Sequence, residues 1–532
     1  MTPPRTVPPA RRDPLFLLLA AAFVAYALAF VWRTSFVIDG ERYFSLFDDA
    51  MISMRYARNL AEGHGLVWNP GGQRVEGITN PLWTLWMALL HLLPVRESKL
   101  ALLVQLTGVG ALAANLYVVR QIALRVSAGS RAVALGAVLL TATYLPLNNW
   151  TLQGMEVGVL ALLVSGAVLL VLRALEAGTF PWGAYLALGI GTWVRPDAVV
   201  PLVAVWAFLA WTDRPRRRRH LAVGLAALLF FVGAQTGLRL WYYGEALPNT
   251  YYLKMTGYPT PARVSRGAWA LMAMVWYANP FLVLLPLALP WLRPARDVLL
   301  LLAVVGLQTA YSVWVGGDAW ESWGGANRYL SVVAPLWLVL LASAAHRVTE
   351  HAVRAWRAHR PTLPRHAGRL AWALLLLLAA VHLNALKGPR SLAEWVLARP
   401  PMTVRENEEM VRLGLWLRQH TRPDATVALR WAGATPYFAR RPAVDLLGKS
   451  DPVIARLPML APPAGPQWLV SFWPGHLKWD FDYSIGVLRP QVVVNTDAQD
   501  PLLPYLRAYR RVAGPGPAVW VREGSDALLR GR

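Results

Sequence analysis

The sequence contains no cysteine and carries little charge. The absence of cysteine from 532 residues excludes disulfides, thiolate metal sites and cysteine nucleophiles. Charged residues make up 16% of the chain, whereas a soluble globular protein carries about 25%. Hydrophobic residues make up 56%, and many apolar runs approach the roughly 20 residues that a helix needs to cross a bilayer. The composition therefore predicts a polytopic membrane protein and excludes a cytosolic enzyme, a coiled coil and a disordered chain.

Lysine is also scarce, because only five of the 53 basic residues are lysines. The formal net charge of +23 would suit a nucleic-acid partner. Most arginines, however, lie in short segments between apolar runs, which is typical of the cytoplasmic loops of membrane proteins. We therefore predict no nucleic-acid partner and interpret the basic loops as a topology signal.

Eleven apolar runs are predicted to span the membrane. They are residues 14–33, 99–119, 132–147, 155–172, 182–194, 197–212, 221–240, 270–292, 298–316, 329–346 and 369–386. The run 81–94 is too short and is bracketed by prolines, so we predict a re-entrant or interfacial segment there. With residues 1–13 in the cytoplasm, eleven spans leave the arginine-rich loops inside. A transmembrane domain over 14–386 with a first outward loop over 34–98 follows from this count.

The last part of the chain, residues 387–532, is far more polar. An amphipathic helix is predicted over 403–419, and short apolar runs between glycine and proline turns predict strands over 425–431, 468–473, 490–496 and 518–522. The fold class is therefore an all-α polytopic membrane domain followed by a small α/β domain on the outer face.

The first outward loop contains an acidic pair followed by a helical pattern. Ile52, Tyr56 and Leu60 share one face of a helix that begins at Asp48 and Asp49, which indicates an amphipathic helix lying on the membrane. A carboxylate at the membrane–water boundary can accept a proton from a hydroxyl group. We predict Asp49 as a general base, with Asp48 as the second choice; the alternative is an acidic helix cap.

Further motifs are distributed over most of the chain. In order they are Gly63-His64-Gly65, Asn69-Pro70-Gly71, Arg74-Val75-Glu76, Gly154-Met155-Glu156, Arg195-Pro196-Asp197, Tyr243-Gly244, Pro248-Asn249-Thr250-Tyr251-Tyr252-Leu253-Lys254, Gly316-Gly317-Asp318, Arg328-Tyr329, Val444–Asp451 and Pro474–Lys478. Together with the acidic pair, they resemble the membrane glycosyltransferases of the GT-C superfamily. The resemblance is to the polyprenyl-phosphate-dependent terminal arabinofuranosyltransferases and to their relatives associated with flagellar motor control.

The resemblance implies a GT-C-like fold and a bacterial cytoplasmic membrane as the location. It implies transfer, with inversion, of arabinofuranose, mannose or a similar sugar from a polyprenyl phosphate to an envelope glycan, lipid or protein. The candidate donor-binding residues are Arg55, Arg58, Asn59, His64, Glu76, Asn80, Glu156, Arg195, Asn249, Lys254, Asp318 and Arg328. His476 and Lys478 are the candidates for acceptor binding. The alternatives are a solvated basic face for Arg55 and Arg58, a structural hydrogen bond for His64, an interfacial carboxylate for Glu156, an ion pair with Asp197 at a helix break for Arg195, and an aromatic belt for Lys254.

Asp48 and Asp49 also offer the carboxylate oxygens that Mg²⁺ or Mn²⁺ prefers, so a divalent cation is the candidate cofactor. Two other functions remain open. A transporter or flippase for a lipid-linked sugar would need paired broken helices and charges along a path. A non-catalytic assembly factor would keep the fold and tolerate the loss of Asp49.

Overall fold

The computed structural model describes residues 13–321, 327–359, 366–386, 388–460, 468–496, 500–516 and 518–529. Of the predicted cytoplasmic N-terminus, residues 1–12 lie outside this description. Asp13 caps the first helix and forms ion pairs with Arg120 and Arg131 at 3.2 and 2.7 Å. The first helix is therefore tied at its start to two later segments of the membrane domain.

The first 386 residues are mostly helical. The helices are α1 (Pro14–Arg33), α2 (Asp48–Ala61), α3 (Pro81–His91), α4 (Glu97–Val126), α5 (Arg131–Thr143), α6 (Leu145–Leu152), α7 (Val157–Ala177), α8 (Trp182–Val194), α9 (Val199–Thr212), α10 (Arg217–Tyr243), α11 (Asn249–Met255), α12 (Thr260–Tyr277), α13 (Pro280–Leu284), α14 (Leu289–Leu292), α15 (Arg296–Trp314), α16 (Arg328–His359) and α17 (Ala367–Asn384). A hairpin of β1 (Phe36–Ile38) and β2 (Glu41–Tyr43) follows α1.

The structure has helices at all eleven positions where the sequence predicts spans. Among the described residues, seven helices are long and apolar enough to cross a membrane, and two further positions are helix pairs bent by 51° and 110°. The remaining two, α8 and α9, have 13 and 14 residues and extend only about 20 Å. By length and composition, the described residues therefore contain seven to nine candidate spans, against the eleven predicted. The segment 81–94 forms the 11-residue α3, which is too short to span, as predicted.

The sharper bend has a local cause. Asn279, between α12 and α13, has a φ of +75°, in the left-handed region that asparagine tolerates better than most residues. Its side chain accepts a hydrogen bond from the Phe281 N–H at 3.1 Å. Pro280 has no N–H to continue the preceding helix. The chain therefore turns at this point and starts a new, short helix.

The helix that carries the acidic pair is buried within the protein. Eleven of the 14 residues of α2 are buried. Arg55 and Arg58 donate hydrogen bonds to the carbonyls of Pro436 and Tyr437 in the C-terminal region. The prediction of a surface helix is wrong because the polar face of α2 is covered by this later part of the chain.

The C-terminal region is a small mixed α/β structure. Its helices are α18 (Pro389–Trp395), α19 (Val404–His420), α20 (Ala434–Ala439), α21 (Pro452–Arg456) and α22 (Trp468–Ser471), and its strands are β3 (Val427–Leu429), β4 (Ala443–Asp445), β5 (Val492–Thr496), β6 (Tyr509–Val512) and β7 (Ala518–Arg522). The strand order is β4-β3-β5-β7-β6, with β3 parallel to β4 and β5, and β7 antiparallel to β5 and β6. Leu413 and Leu417 of α19 share a buried cluster with Val427 and Val492 of the sheet.

Most of the predicted elements of this region are present. The amphipathic helix over 403–419 corresponds to α19, and the strands over 425–431, 490–496 and 518–522 correspond to β3, β5 and β7. The predicted strand over 468–473 is wrong, because residues 468–471 form the helical turn α22. An apolar run this short does not distinguish a strand from a buried helical turn.

Candidate active site

A cavity of about 330 Å³ lies where the membrane domain meets the C-terminal region. Its walls include the first turns of α2, the loop before α3, the break between α8 and α9, and the start of α16. Two loops of the C-terminal region close it, one through Lys449 and the other through Pro474 and His476. The predicted site residues that line this cavity are Asp49, Asn80, Arg195, Lys254, Asp318, Arg328 and His476.

Asp49 faces the cavity between two cations. Lys449 Nζ donates a hydrogen bond to Asp49 Oδ1, and Arg328 Nη1 lies 2.8 Å from Asp49 Oδ2. Burial alone raises the pKa of Asp49, but Lys449, Arg328 and Lys254 outweigh it and hold this pKa well below its usual range. Asp49 is therefore an ionised carboxylate with access to the cavity.

Asp48 has a different environment, although it is the adjacent residue. Its Oδ1 accepts hydrogen bonds from the Gly433 and Ala434 N–H groups at 3.1 and 3.0 Å, so it fastens α20 to α2. Burial is the largest influence and raises the pKa of Asp48 to about 6, although Lys449 opposes it. Asp48 thus holds the C-terminal region in place, whereas Asp49 faces the open space.

These two carboxylates do not fit a divalent cation. Both oxygens of Asp49 are paired with cations, and Asp48 Oδ1 is committed to two backbone N–H groups. Among the described residues, no three His, Asp or Glu side chains are grouped so that they could hold a metal ion. Asp48 Oδ2 is the one oxygen of the pair without a hydrogen-bond partner in the described structure, and a bound Mg²⁺ or Mn²⁺ would compete with Lys449 or Arg328 for Asp49.

Arg328 is positioned by a second acid. Asp318 accepts hydrogen bonds from Arg328 Nε at 2.8 Å and Nη2 at 3.1 Å. The Arg328 backbone N–H also donates to Asp318 at 3.1 Å, at the start of α16. Burial alone raises the pKa of Asp318, but Arg328 outweighs it and lowers this pKa, so both groups are charged. Asp318 therefore orients Arg328 toward Asp49.

Lys254 is the cation in this cavity without a partner. No hydrogen bond or ion pair joins its Nζ to any residue in the described ranges, although its side chain lines the cavity. Its stem passes over Gly475, where a Cβ atom would come within 3.0 Å of Lys254 Cγ and Cε. Burial, reinforced by Arg328 and opposed by Asp49, lowers the pKa of Lys254 to about 8. An anion entering the cavity would find this ammonium group available.

A second charged network lies on another side of the cavity. Arg195 pairs with Glu156 and Asp197, each at 2.7 Å. Glu156 also accepts a hydrogen bond from the Asn80 side chain at 2.8 Å. Arg195 occupies the break before α9, in extended backbone, and Glu156 is completely buried at the start of α7. The network therefore joins α3, α7 and the α8–α9 break around the cavity wall.

Glu76 lies outside the main cavity and pairs with Arg239 at 2.7 Å. Burial raises the pKa of Glu76 to about 7, in opposition to Arg239. Its backbone carbonyl accepts a hydrogen bond from the Asn249 N–H at 3.0 Å. Glu76 thus links the first loop to α10 and α11, and Arg239 contributes to the cavity wall.

The remaining predicted donor residues lie away from the cavity. Arg55 is buried and donates hydrogen bonds to Trp68, Asn69, Pro436 and Arg441. Arg58 contacts Tyr437 and Glu97, and Asn59 donates to the carbonyls of Val67 and Trp68. His64 is exposed. Arg55, Arg58 and Asn59 therefore shape the first loop, and the two arginines also join it to the C-terminal region.

Asn249 and Lys478 also bind the protein backbone. The Asn249 amide donates to the carbonyls of Gly448, Lys449 and Asp451 at 2.9, 3.0 and 3.1 Å. Lys478 is completely buried and donates to the carbonyls of Tyr252 and Ala455 at 2.9 and 2.7 Å. Lys478 is therefore enclosed by the protein, which separates it from a soluble acceptor.

His476, by contrast, lines the cavity with both ring nitrogens buried and without a hydrogen-bond partner in the described structure. Burial lowers the pKa of His476 to about 3, and Lys449 acts in the same direction. Its ring lies edge-on to Trp320 at 5.8 Å. A neutral imidazole offers one donor and one acceptor, which suits a sugar hydroxyl.

Sequence reasoning missed Lys449 as a site residue. It belongs to the motif Val444–Asp451, which was noted only as part of the resemblance. Its separation of 400 residues from Asp49 conceals their contact. The signal that could have identified Lys449 is the rarity of lysine: the chain has five lysines, and one of them lies in this motif.

Comparison with known proteins places this arrangement in context. A family model described as a domain of unknown function, DUF8728, matches residues 402–526. A terminal β-(1→2)-arabinofuranosyltransferase of Corynebacterium glutamicum is 27% identical over 313 residues, which cover 51% of this chain and 44% of that protein. The chain thus spans less than half the length of this relative.

Two solved structures share the fold at low identity. The oligosaccharyltransferase AglB from Archaeoglobus fulgidus, in complex with an inhibitory peptide and a dolichol-phosphate, superposes with a TM-score of 0.55 at 12% identity, covering 97% of this chain and 75% of that one. ArnT from Cupriavidus metallidurans bound to undecaprenyl phosphate gives a TM-score of 0.54 at 14% identity, covering 97% and 98%. This chain is therefore a multi-pass membrane protein with the fold of the GT-C glycosyltransferases.

Proposed function

We propose that the protein is an inverting glycosyltransferase that uses a polyprenyl-phosphate sugar as its donor. The sugar is arabinofuranose, mannose or a similar one, and the acceptor is a hydroxyl group of a cell-envelope glycan, lipid or protein. The reaction takes place at the outer face of a bacterial cytoplasmic membrane. The C-terminal region then also faces outward, because it supplies part of the cavity wall.

The observation that carries the proposal is that Asp49 and Lys254 line one cavity. Asp49 is an ionised carboxylate, and Lys254 has no partner among the described residues. A glycosyl transfer from a phosphate needs both a base for the acceptor and a cation for the leaving group. The cavity provides the two groups from different elements, α2 and α11.

The chemistry follows from this pair. The acceptor oxygen attacks the anomeric carbon from the face opposite the phosphate, and its proton passes to Asp49 as the new bond forms. The bond between the anomeric carbon and the phosphate oxygen breaks, and its electron pair leaves with the polyprenyl phosphate. Lys254 stabilises the additional negative charge on that phosphate. This single displacement from the opposite face inverts the configuration. Phosphate is a good leaving group that needs no general acid, so one carboxylate is enough, whereas the hydrolysis of glycosides uses two.

The low pKa of Asp49 is compatible with this role. A hydroxyl group becomes much more acidic once its oxygen begins to bond to the anomeric carbon, so a weak base can take the proton at that stage. A carboxylate that stays ionised is also ready at every physiological pH. Arg328 holds it in position, since that cation pairs with both Asp49 and Asp318.

The comparisons support the donor class. One solved relative of the fold contains dolichol-phosphate and the other contains undecaprenyl phosphate. The relative from Corynebacterium glutamicum is named for arabinofuranosyl transfer, which favours a pentofuranose donor. Lipid phosphates are thus the donor class on which the test should concentrate.

The test is transfer by the full-length protein in lipid nanodiscs. A panel of labelled polyprenyl-phosphate sugars is supplied with an envelope extract, and product formation is compared between wild type and Asp49→Asn. The matched control is Asp526→Asn, which removes an exposed carboxylate whose one ion-pair partner among the described residues is Arg422. We expect transfer from one donor, a loss of about 10²–10⁴-fold in Asp49→Asn, and full activity in the control.

The two alternative functions give other outcomes. Movement of a labelled lipid-linked sugar across proteoliposomes, without product, would indicate a transporter. No reaction with any donor, together with complementation of a deletion strain by Asp49→Asn, would indicate an assembly factor.

A further inference from the structure

We propose that Lys449, from the C-terminal region, leaves Asp49 and binds the donor phosphate beside Lys254 when the donor enters. This inference rests on the proposed function and deepens it. It gives the C-terminal region a part in donor recognition. It also means that Lys449 releases Asp49, the base, only when the donor site is occupied.

The backbone that carries Lys449 is firmly held. Asp445 at the end of β4 accepts hydrogen bonds from the Leu447 and Ser450 N–H groups at 3.0 and 2.8 Å. The Asn249 amide of α11 binds three carbonyls of the same loop, those of Gly448, Lys449 and Asp451. A movement of Lys449 is therefore a movement of its flexible four-carbon side chain and not of the loop.

The side chain of Lys449 has one ion-pair partner, Asp49, among the described residues. Asp49 has two partners, since its second oxygen is paired with Arg328 at 2.8 Å. If Lys449 leaves, Asp49 keeps Arg328, which is itself anchored by Asp318. The exchange therefore leaves no buried charge without a partner, which would otherwise be costly.

The charges around Asp49 favour an incoming anion. Lys254, Lys449 and Arg328 face Asp49 and Asp318, and Asp48 and Asp445 also act on Lys449, but Lys254 has no ion-pair partner of its own in the described ranges. The released polyprenyl phosphate is a dianion, and Lys254 alone would give it only one cationic partner. A second ammonium group, from Lys449, would balance the second negative charge of the phosphate. Lys449 then exchanges the Asp49 carboxylate for the phosphate as its anionic partner.

The movement of Lys449 makes Asp49 a stronger base when the donor is bound. Without donor, Lys449 and Arg328 both hold the Asp49 carboxylate and weaken it as a base. With donor bound, one cation has moved to the phosphate and the phosphate itself is negative, so Asp49 becomes a better base. The groups that face Asp49 and set this balance are Asp48, Lys254, Arg328, Lys449 and the neutral His476.

The first experiment measures the binding of labelled undecaprenyl phosphate to the full-length protein in phosphatidylcholine nanodiscs. A double-mutant cycle uses Asp49→Asn, Lys449→Met and the combined variant. Asp49→Asn releases Lys449, so we expect about tenfold tighter binding than wild type. In the Lys449→Met background the same Asp49→Asn change is expected to alter the affinity less than about twofold.

Three results would overturn the proposal. If Asp49→Asn tightens binding equally in both backgrounds, Asp49 merely repels the phosphate and Lys449 takes no part. If Lys449→Met binds undecaprenyl phosphate as tightly as wild type while Lys254→Met does not, Lys449 is not a phosphate ligand. If inorganic phosphate binds with equal affinity, the site does not recognise a lipid-linked phosphate.

Lys449→Arg keeps the test decisive if Lys449→Met does not fold, because it preserves the charge. It is expected to retain binding within about threefold, and a loss as large as that of Lys254→Met in a folded protein would contradict the proposal. The binding experiment needs no turnover. If transfer fails while binding still shows the coupling between Asp49 and Lys449, the proposed enzyme activity is refuted and the phosphate site remains. If transfer occurs without that coupling, the enzyme activity remains and the role of Lys449 is refuted.

A second readout is the pH dependence of transfer. Lys449→Met removes a cation from the free enzyme, so the pKa of Asp49 rises there and the acid limb of kcat/KM moves to higher pH. The acid limb of kcat reports the donor complex, in which Lys449 has already left Asp49, so it is expected to move less. A residue with a merely structural role would move neither limb.

Discussion

Asp48 and Asp49 are adjacent in sequence, and the structure predicts that they fail in different ways when mutated. Asp48→Ala removes the acceptor for the Gly433 and Ala434 N–H groups. A buried N–H group without a partner costs about 1–3 kcal/mol, so the two together cost about 2–6 kcal/mol. Asp48→Asn keeps the Oδ1 acceptor and is expected to lie within about 1 kcal/mol of wild type at pH 4, where the folded wild type carries a protonated Asp48. Asp49→Asn is expected to leave the fold intact and to abolish transfer.

The pH dependence of stability sharpens this prediction. The pKa of Asp48 is raised by burial from 3.8 to about 6 in the folded protein. The folded state therefore retains a proton that the unfolded state loses between pH 4 and 6, and stability falls as the pH rises through that window. A difference of about two pH units corresponds to about 3 kcal/mol, which is fully lost above pH 6. Asp48→Asn cannot titrate and is expected to remove this decline.

The assay combines thermal unfolding in nanodiscs at pH 4, 5, 6 and 7.5 with the transfer reaction at pH 7.5. Asp48→Asn should melt with a smaller pH dependence than wild type and keep transfer within a few-fold. If Asp48→Asn melts like wild type at every pH but loses transfer as completely as Asp49→Asn, the separation of roles is refuted. Asp48 would then be part of the chemistry and not of the docking.

The other predictions concern the cavity and its surroundings. Lys254→Met should raise the KM for the donor about tenfold or more, whereas the control Lys99→Met should leave it unchanged. Because the pKa of Lys254 is about 8, donor binding to wild type should also weaken above pH 8, where the ammonium group loses its proton. Glu156→Gln replaces one of the two buried carboxylates of Arg195 by an amide and should lower the free energy of unfolding by about 1.5–3 kcal/mol, whereas Glu409→Gln, in an exposed pair, should cost about 0.5 kcal/mol or less. Gly433→Ala places a Cβ about 2.1 Å from the Asp48 carbonyl oxygen and should expose the C-terminal region to limited proteolysis. Chelation by EDTA should leave transfer unchanged, because both oxygens of Asp49 are already paired with cations.

Each of these predictions has an opposite outcome that would count against its reasoning. An unchanged donor KM in Lys254→Met would remove this residue from the phosphate site. Equal destabilisation by Glu156→Gln and Glu409→Gln would mean that the buried network contributes no more than a surface pair. Gly433→Ala with wild-type protease resistance would show that the C-terminal region does not need close contact with α2. Loss of transfer on chelation, restored by Mg²⁺ or Mn²⁺, would show that a cation displaces the ion pairs.

Much of the fold was predictable because it follows from local composition. Apolar runs of about 20 residues must be helical in a bilayer, where every backbone N–H and C=O needs an internal partner. All eleven predicted positions are helices for this reason. Their number as full spans was overestimated because α8 and α9 have the apolar composition of a span but only 13 and 14 residues. Hydropathy does not report where a helix breaks.

The site was predictable only in part. The motif residues Asp49, Lys254, Asp318 and Arg328 do line one cavity. Arg55 carries an equally prominent motif position but turns to backbone carbonyls instead. A sequence pattern marks a residue whose identity matters, and it does not distinguish a side chain that binds a ligand from one that holds a loop.

The sequence by itself determined the membrane domain, the polar C-terminal region and the list of candidate residues, because hydrophobicity and short-range pattern are properties of neighbouring residues. Only the tertiary structure decided which candidates meet. The pairing of Asp49 with Lys449 joins residues separated by 400 positions, and the opposite orientations of Asp48 and Asp49 depend on where α20 packs against α2. Long-range contacts of this kind arise from packing and charge complementarity across the whole chain, and no local window of sequence contains them.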